Sequence, residues 1–161
     1  MQLPPSQAQI DQFIADLGRD DLMAVVIRGH LHIEAGIHEL LAGKLALPTE
    51  IIKEYIESMR FDRKVKLAID LALLPGDSKP ALTELHKLRN KFAHNLTYEV
   101  GQSDVDQLRK VMSPRLGQAV DPLKGSIREQ LVRCIAGLHV QVSEAVQQQV
   151  FRRIATNSEG W

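Results

Sequence analysis

A chain of 161 residues falls within the range of one domain and is long enough to bury a core without a metal or disulfide to staple it. Cys134 is the only cysteine, which excludes an intrachain disulfide, a zinc ribbon and a paired-thiol redox motif, and fits a reducing compartment. Twenty basic residues balance twenty acidic ones and aromatics make up 4%, so neither a strong positive field nor a base-stacking platform is available for general nucleic-acid binding.

Residues 1–9 are polar, contain two prolines and show no apolar run resembling a secretory signal. No apolar stretch approaches membrane-spanning length. The expectation is a cytoplasmic protein without a membrane segment. Apolar residues recur at helical spacing throughout, with almost no period-2 alternation, which predicts an all-α helical bundle of about seven helices in a single domain covering 1–161.

Ser6 and Gln9 form a capping-box pattern, followed by the stripe Ile10, Phe13, Ile14 and Leu17 and a stop at Gly18. A second helix opens at Asp20 or Asp21 and runs to about Leu45, where Leu47-Pro48 stops it. Its early part, residues 22–27, is apolar nearly all round, as in a helix buried on more than one side. Ile51, Ile52, Tyr55, Ile56 and Met59 predict a third helix. Residues 61–74 predict a fourth, closed by Pro75-Gly76. Asp77 or Ser78 should cap a fifth helix with the core stripe Leu82, Leu85, Leu88 and Phe92, ending near Asn95 in a left-handed conformation. Residues 102–112 predict a sixth helix, and Pro114 and Gly117 a loop. Asp121-Pro122 should open a final helix over about 122–154, roughly 50 Å long if Gly137 does not interrupt it. Its stripe is Leu123, Ile127, Leu131, Cys134, Leu138, Val142 and Ala145, and its far end is long enough to pack on a partner.

The fifth helix has a second, polar face. At about 100° per residue, His86, Arg89, Asn90, Ala93 and His94 gather beside the leucines, and the small Ala93 leaves a shallow recess. Asn90 and His94, four apart, are spaced to hydrogen-bond and so to set the imidazole tautomer. Arginine is a permanently charged, forked donor suited to phosphate, and histidine moves protons near neutral pH. With no acidic cluster at metal spacing, the match is metal-independent phosphodiester transesterification rather than two-metal hydrolysis. The plainer alternative stays open at this level: Arg89 as a snorkelling side chain paired with a carboxylate, and His94 favoured by the helix dipole.

The stretch Leu85-His86-Lys87-Leu88-Arg89-Asn90-Lys91-Phe92-Ala93-His94-Asn95 resembles the HEPN signature, in which an arginine, often followed by a polar residue, precedes a histidine by a short spacer. Residues 65–74 and 29–41 are similar to the mannitol operon repressor branch of such proteins. The resemblance covers about residues 21–95, and the C-terminal third matches only in being helical. It implies a helical bundle that dimerises with two motifs facing across a cleft, and ribonuclease activity in many members. The mannitol repressor branch departs from the intact motif, whereas Arg89, Asn90 and His94 retain the elements of an active member. In that resemblance a polar residue from the second helix supports the motif, and Glu34 stands where it could hold Arg89 or orient His94.

The resulting expectation is a homodimeric, metal-independent endoribonuclease with Arg89, Asn90 and His94 at its centre, Glu34 in support and no cofactor. Two alternatives remain. One is a noncatalytic regulator resembling the mannitol operon repressor that acts by binding a protein. The other is a toxin-like nuclease silenced by a cognate antitoxin. Direct DNA binding is disfavoured, because no basic recognition helix is evident. Arg60, Arg63, Lys64 and Lys66 form a basic cluster in sequence, more simply read as a solvated flank. His30, Glu34 and His38 recur every four residues but lack the matching carboxylates of a bundle metal site, and so read as a polar border. His32 is expected at a surface or interface, and Cys134 in the core.

Overall fold

In a computed structural model, residues 7–19, 21–119 and 125–158 are described, and they form eight α-helices with no strand among them. These are α1 (Gln7–Arg19), α2 (Leu22–Leu45), α3 (Thr49–Ile51), α4 (Phe61–Asp70), α5 (Lys79–His94), α6 (Gln102–Val111), α7 (Pro114–Ala119) and α8 (Ile127–Ser158). The all-α bundle expected from the periodicity is what the chain forms.

The two longest helices organise it. In α2, Val26, Ile33 and Leu40 are buried, and Gly29, Gly36 and Gly43 interleave with them at seven-residue intervals. In α8 the alternating three- and four-residue spacing of Leu131, Ile135, Leu138, Val142, Ala145 and Gln149 gives the matching repeat. A repeat averaging 3.5 residues keeps one seam of each helix against the other. The register is visible at the glycines. A Cβ built on Gly29 would collide with Ile135 Cγ2, on Gly36 it would lie 2.6 Å from Val142 Cγ1, and on Gly43 2.5 Å from Gln149 Oε1. Because both series ascend together, α2 and α8 run parallel. Gln149 Nε2 also donates to the Leu40 carbonyl oxygen at 3.0 Å, pinning this register.

Around this pair, α4 and α5 cover α2, α6 bridges α5 and α8, and α1 lies on α8 and α2. Asp21 caps α2 as expected, its Oδ1 accepting from Ala24 N at 2.7 Å. Several boundaries differ from the sequence expectation. Helix α1 continues past Gly18 to Arg19, and Ser6, its expected cap, lies outside the described residues. Helix α3 runs on without a break into a π-helical stretch, Ile52–Glu57, that buries Ile56. Helix α4 stops at Asp70, four residues early. Leu73 N bonds the Ala68 carbonyl and Ala72 N the Ile69 carbonyl, with Ala72 at φ 55°. This is a Schellman closure, made without the usual glycine.

Ser78 does not cap α5. A 3-10 turn over Gly76–Ser78 holds Ser78 in helical geometry, where its hydroxyl cannot reach back to the first-turn amides. That hydroxyl is buried without a partner among the described residues. Asn95 ends α5 in an extended rather than left-handed conformation, and its Oδ1 accepts from Thr97 N and Thr97 Oγ1. The expected loop at Pro114 and Gly117 is the short helix α7. Asp121, Pro122 and Leu123 lie outside the described residues. The final helix is described from Ile127 and runs 32 residues without a break at Gly137, about 48 Å at the standard rise. Cys134 is in the core as expected, where burial pushes its thiol up to about 12. None of the described helices is long and apolar enough to cross a membrane.

The glycine seam generates a prediction. Gly36→Val should lower stability by about 1–3 kcal/mol through overpacking, while Gly76→Ala, whose Cβ would meet nothing within 4 Å, should change it by less than about 0.5 kcal/mol. Thermal unfolding of the two variants beside wild type measures the contrast, and equal midpoints would show that the α2–α8 approach is not close.

Candidate functional site

Helix α5 is held firmly at its C-terminal end. Lys91 Nζ bonds Asp104 Oδ1 at 2.7 Å, Tyr98 Oη donates to Asp104 Oδ2 at 2.6 Å, and Gly101 N donates to the same oxygen at 3.0 Å. Burial would raise the Asp104 carboxyl, but hydrogen bonds from Lys91, Tyr98 and Gly101 outweigh it and leave the pKa below its ordinary value. Phe92, buried, meets the Tyr98 ring edge-on at 5.5 Å. One face of α5, Leu82, Leu85, Leu88 and Phe92, is therefore fixed in the core, which aims the adjoining polar face.

On that face Arg89 and Asn90 are half-buried, and Ala93 and His94 are exposed. Arg89 Nη1 donates to Asn90 Oδ1 at 3.1 Å. The Asn90–His94 bond expected from their spacing is not formed; Asn90 orients the guanidinium instead. Among the described residues Arg89 has no carboxylate partner.

Glu34 does not hold Arg89 or orient His94. Its Oε1 accepts from Lys64 Nζ at 2.8 Å, and Lys64 is only 4% exposed. A buried ammonium demands an anion, and α4 delivers it to the one carboxylate on this side of α2. Beside this pair stands a cluster that sequence spacing on single helices did not reveal. His30 Nε2 lies 3.0 Å from His86 Nδ1, and His30 Nδ1 lies 3.8 Å from Glu34 Oε2. The Phe61 ring closes over both imidazoles, stacked on His86 at 4.9 Å and tilted against His30 at 4.3 Å. Burial pushes His30 down to about 4, opposed by Glu34, while His86, Arg89 and Lys64 reinforce the drop. Burial, followed by the Arg89 guanidinium, also holds His86 below its ordinary value. Both rings are thus neutral at physiological pH. The signal available in the sequence was composition: His30 falls within the buried stripe of α2, and His86 precedes Arg89 by one turn.

The basic cluster of α4 is largely neutralised. Arg60 pairs with Asp62 at 3.3 Å, Lys66 with Asp70 at 2.5 Å, and Lys64 with Glu34. Positive charge instead gathers at the far end of α2, where Lys44, Arg152 and Arg153 line a cleft of about 300 Å³. His30, Glu34 and His38 do not assemble with a further ligand: no group of three or more His, Cys, Asp or Glu side chains among the described residues could hold a metal ion. His32 is exposed, as expected, and meets the Phe13 ring edge-on at 5.0 Å. Compared with known proteins, the chain matches no family model and no solved structure.

Two outcomes are expected. Glu34→Ala strands the Lys64 ammonium and should cost roughly 3 kcal/mol, much of it recovered in a Glu34→Ala/Lys64→Met double variant; denaturant unfolding would show this, and a silent Glu34→Ala would refute the pairing. His30 takes its proton near pH 4 when folded but near 6.5 when unfolded, so the unfolded chain binds more protons between those values. Stability should fall by roughly 3 kcal/mol as pH drops from about 6.5 to about 4. His30→Gln should flatten that slope, which a series of unfolding curves across this window tests.

Proposed function

We propose that the polar face of α5 is the centre of a HEPN-like, metal-independent endoribonuclease, with Arg89 binding and stabilising the scissile phosphate, Asn90 orienting that guanidinium and His94 moving a proton. The observation that carries the reading is the state of Arg89. A structural arginine at the border of an apolar face would be neutralised by a carboxylate, yet Glu34, the carboxylate expected to hold it, is committed to Lys64, and among the described residues Arg89 is tethered only by a neutral amide. No other described residue engages its charge or remaining donors, which suits them to an oxyanion, and a fixed guanidinium beside developing phosphorane charge is worth about 10²–10³ in rate. His94, exposed one turn on, is open to a nucleic acid. The proposal includes a homodimer in which two such faces meet. The exposed Phe151 and Ile154 of α8 are further surface for a second copy.

A second reading rests on Leu96, which is 85% exposed two residues beyond His94. An apolar side chain at the rim of this face suits a protein ligand, and the face would then serve a noncatalytic regulator or bind a cognate antitoxin.

Incubation of a mixed RNA panel in EDTA with wild type, Arg89→Ala and His94→Ala separates the readings, with mass measurement of the oligomer in parallel. Cleavage leaving 2′,3′-cyclic phosphate ends, reduced at least about 10²-fold in either variant, is the expected result. Equal behaviour of all three with the dimer intact would transfer the assignment to the protein-binding regulator.

A further inference from the structure

The Glu34–His30–His86 chain has a polarity that bears on catalysis. His30 is neutral, buried and carries one N–H. Its Nδ1 lies 3.8 Å from Oε2 of the Glu34 carboxylate, whose other oxygen, Oε1, accepts from the buried Lys64 Nζ. A bare Nδ1 lone pair there would oppose a carboxylate lone pair, whereas an Nδ1–H is attracted to it, so the proton belongs on Nδ1. His30 Nε2 is then an acceptor, and the 3.0 Å contact is completed by His86 donating from its own Nδ1. That leaves the His86 Nε2 without a proton. Among the described residues this nitrogen has no hydrogen-bond partner, and it is not one of the fully buried unpartnered atoms, so it is accessible at the surface. The charged groups around the ring are Arg89 on its own helix, Asp62 and Arg60 from the start of α4, and Glu34 on α2.

We propose that His86, set in this tautomer by His30 and Glu34, is the general base of the site, its bare Nε2 taking the ribose 2′-hydroxyl proton from RNA held on Arg89. The inference rests on the ribonuclease reading above and gives each histidine a separate task. His86, Arg89 and Asn90 occupy positions i, i+3 and i+4 of one face, and His94 lies another turn on. The two histidines thus bracket the guanidinium, eight residues and roughly 12 Å apart along the axis. A phosphodiester seated over Arg89 and the small Ala93 has one imidazole at each end. The 2′-oxygen, losing its proton to His86 Nε2, attacks phosphorus. The P–O5′ bond breaks, the 2′,3′-cyclic phosphate forms, and the departing 5′-oxygen takes a proton from the His94 imidazolium. Exchange with water then returns His86 to its base form and His94 to its acid form, so no metal or external reagent enters the balance. His30 and Glu34 touch no substrate and are positioning residues. Because burial and Arg89 hold His86 below the ordinary imidazole value, its base form should persist through neutral pH.

Two measurements on the full chain test this. ¹⁵N NMR of histidine-labelled protein should report His86 as the Nδ1–H tautomer. His30→Gln, whose amide oxygen can still accept from that N–H, should preserve the tautomer; His30→Leu should release it. Cleavage of the RNA panel in EDTA should fall by about 10²–10⁴-fold in His86→Ala, and the acidic limb of the kcat/KM profile should move in His30→Leu but much less in His30→Gln. An Nε2–H tautomer in wild type overturns the proposal, as does His86→Ala cutting like wild type while Arg89→Ala and His94→Ala are inactive; in that second case the ribonuclease reading itself survives. A wild type that cuts nothing overturns both, whatever the tautomer.

Discussion

The close parallel approach of α2 and α8 is the constraint on which the rest of the arrangement depends. Glycine in a helix interior costs about 0.5–1 kcal/mol against alanine, and α2 carries three, at positions 29, 36 and 43. Their compensation is contact with Ile135, Val142 and Gln149 at a separation no side chain would permit, with dispersion gained along a seam that spans most of both helices. Parallel neighbours cannot be joined by a short loop, so the chain between them must travel. It does so as the layer of α4, α5 and α6, and that layer carries the polar face.

The second organising demand is electrostatic. The opposite side of α2 presents Glu34 and His30 to α4 and α5, and a buried Lys64 ties α4 down beside them. An ion pair of this kind adds little net stability compared with apolar packing, but breaking it is costly, so it acts as a register mark for α4 on α2. With α4 so placed, Phe61 covers the two imidazoles and excludes water from one side of the His30–His86 contact. Exclusion of water lowers the basicity of both rings and keeps them neutral next to Arg89. The same neutrality leaves the guanidinium uncancelled on one side and unrepelled on the other.

Charge elsewhere follows the same logic of local settlement. Equal numbers of acidic and basic residues do not produce an even surface. Arg60, Lys64 and Lys66, at and along α4, are answered by Asp62, Glu34 and Asp70, and Lys91 by Asp104. Lys44, Arg152 and Arg153 gather instead at one cleft. Total charge excluded a broad nucleic-acid-binding field; it did not bear on single sites such as Arg89, which has no carboxylate partner among the described residues.

The sequence by itself determined the helices and their buried faces. Period 3.6 patterning, Asp21 as a cap and Pro48 as a stop fix α2, and the stripe Leu82, Leu85, Leu88, Phe92 fixes which side of α5 is polar, because these are signals within one helix. The seven-residue spacing of Gly29, Gly36 and Gly43 was also present as a pattern, but its meaning requires the partner helix. Boundaries such as the end of α4 at Asp70 and the uncapped start of α5 escaped because alanine took a left-handed position that glycine usually fills, and a 3-10 turn moved Ser78 out of capping geometry. Only the tertiary structure decided who meets whom. Glu34 goes to Lys64 rather than Arg89, Asn90 goes to Arg89 rather than His94, and His30 finds His86 across 56 positions of sequence. Spacing along one helix shows which side chains can meet, but partners drawn from different helices are chosen by packing and by the cost of leaving a buried charge alone.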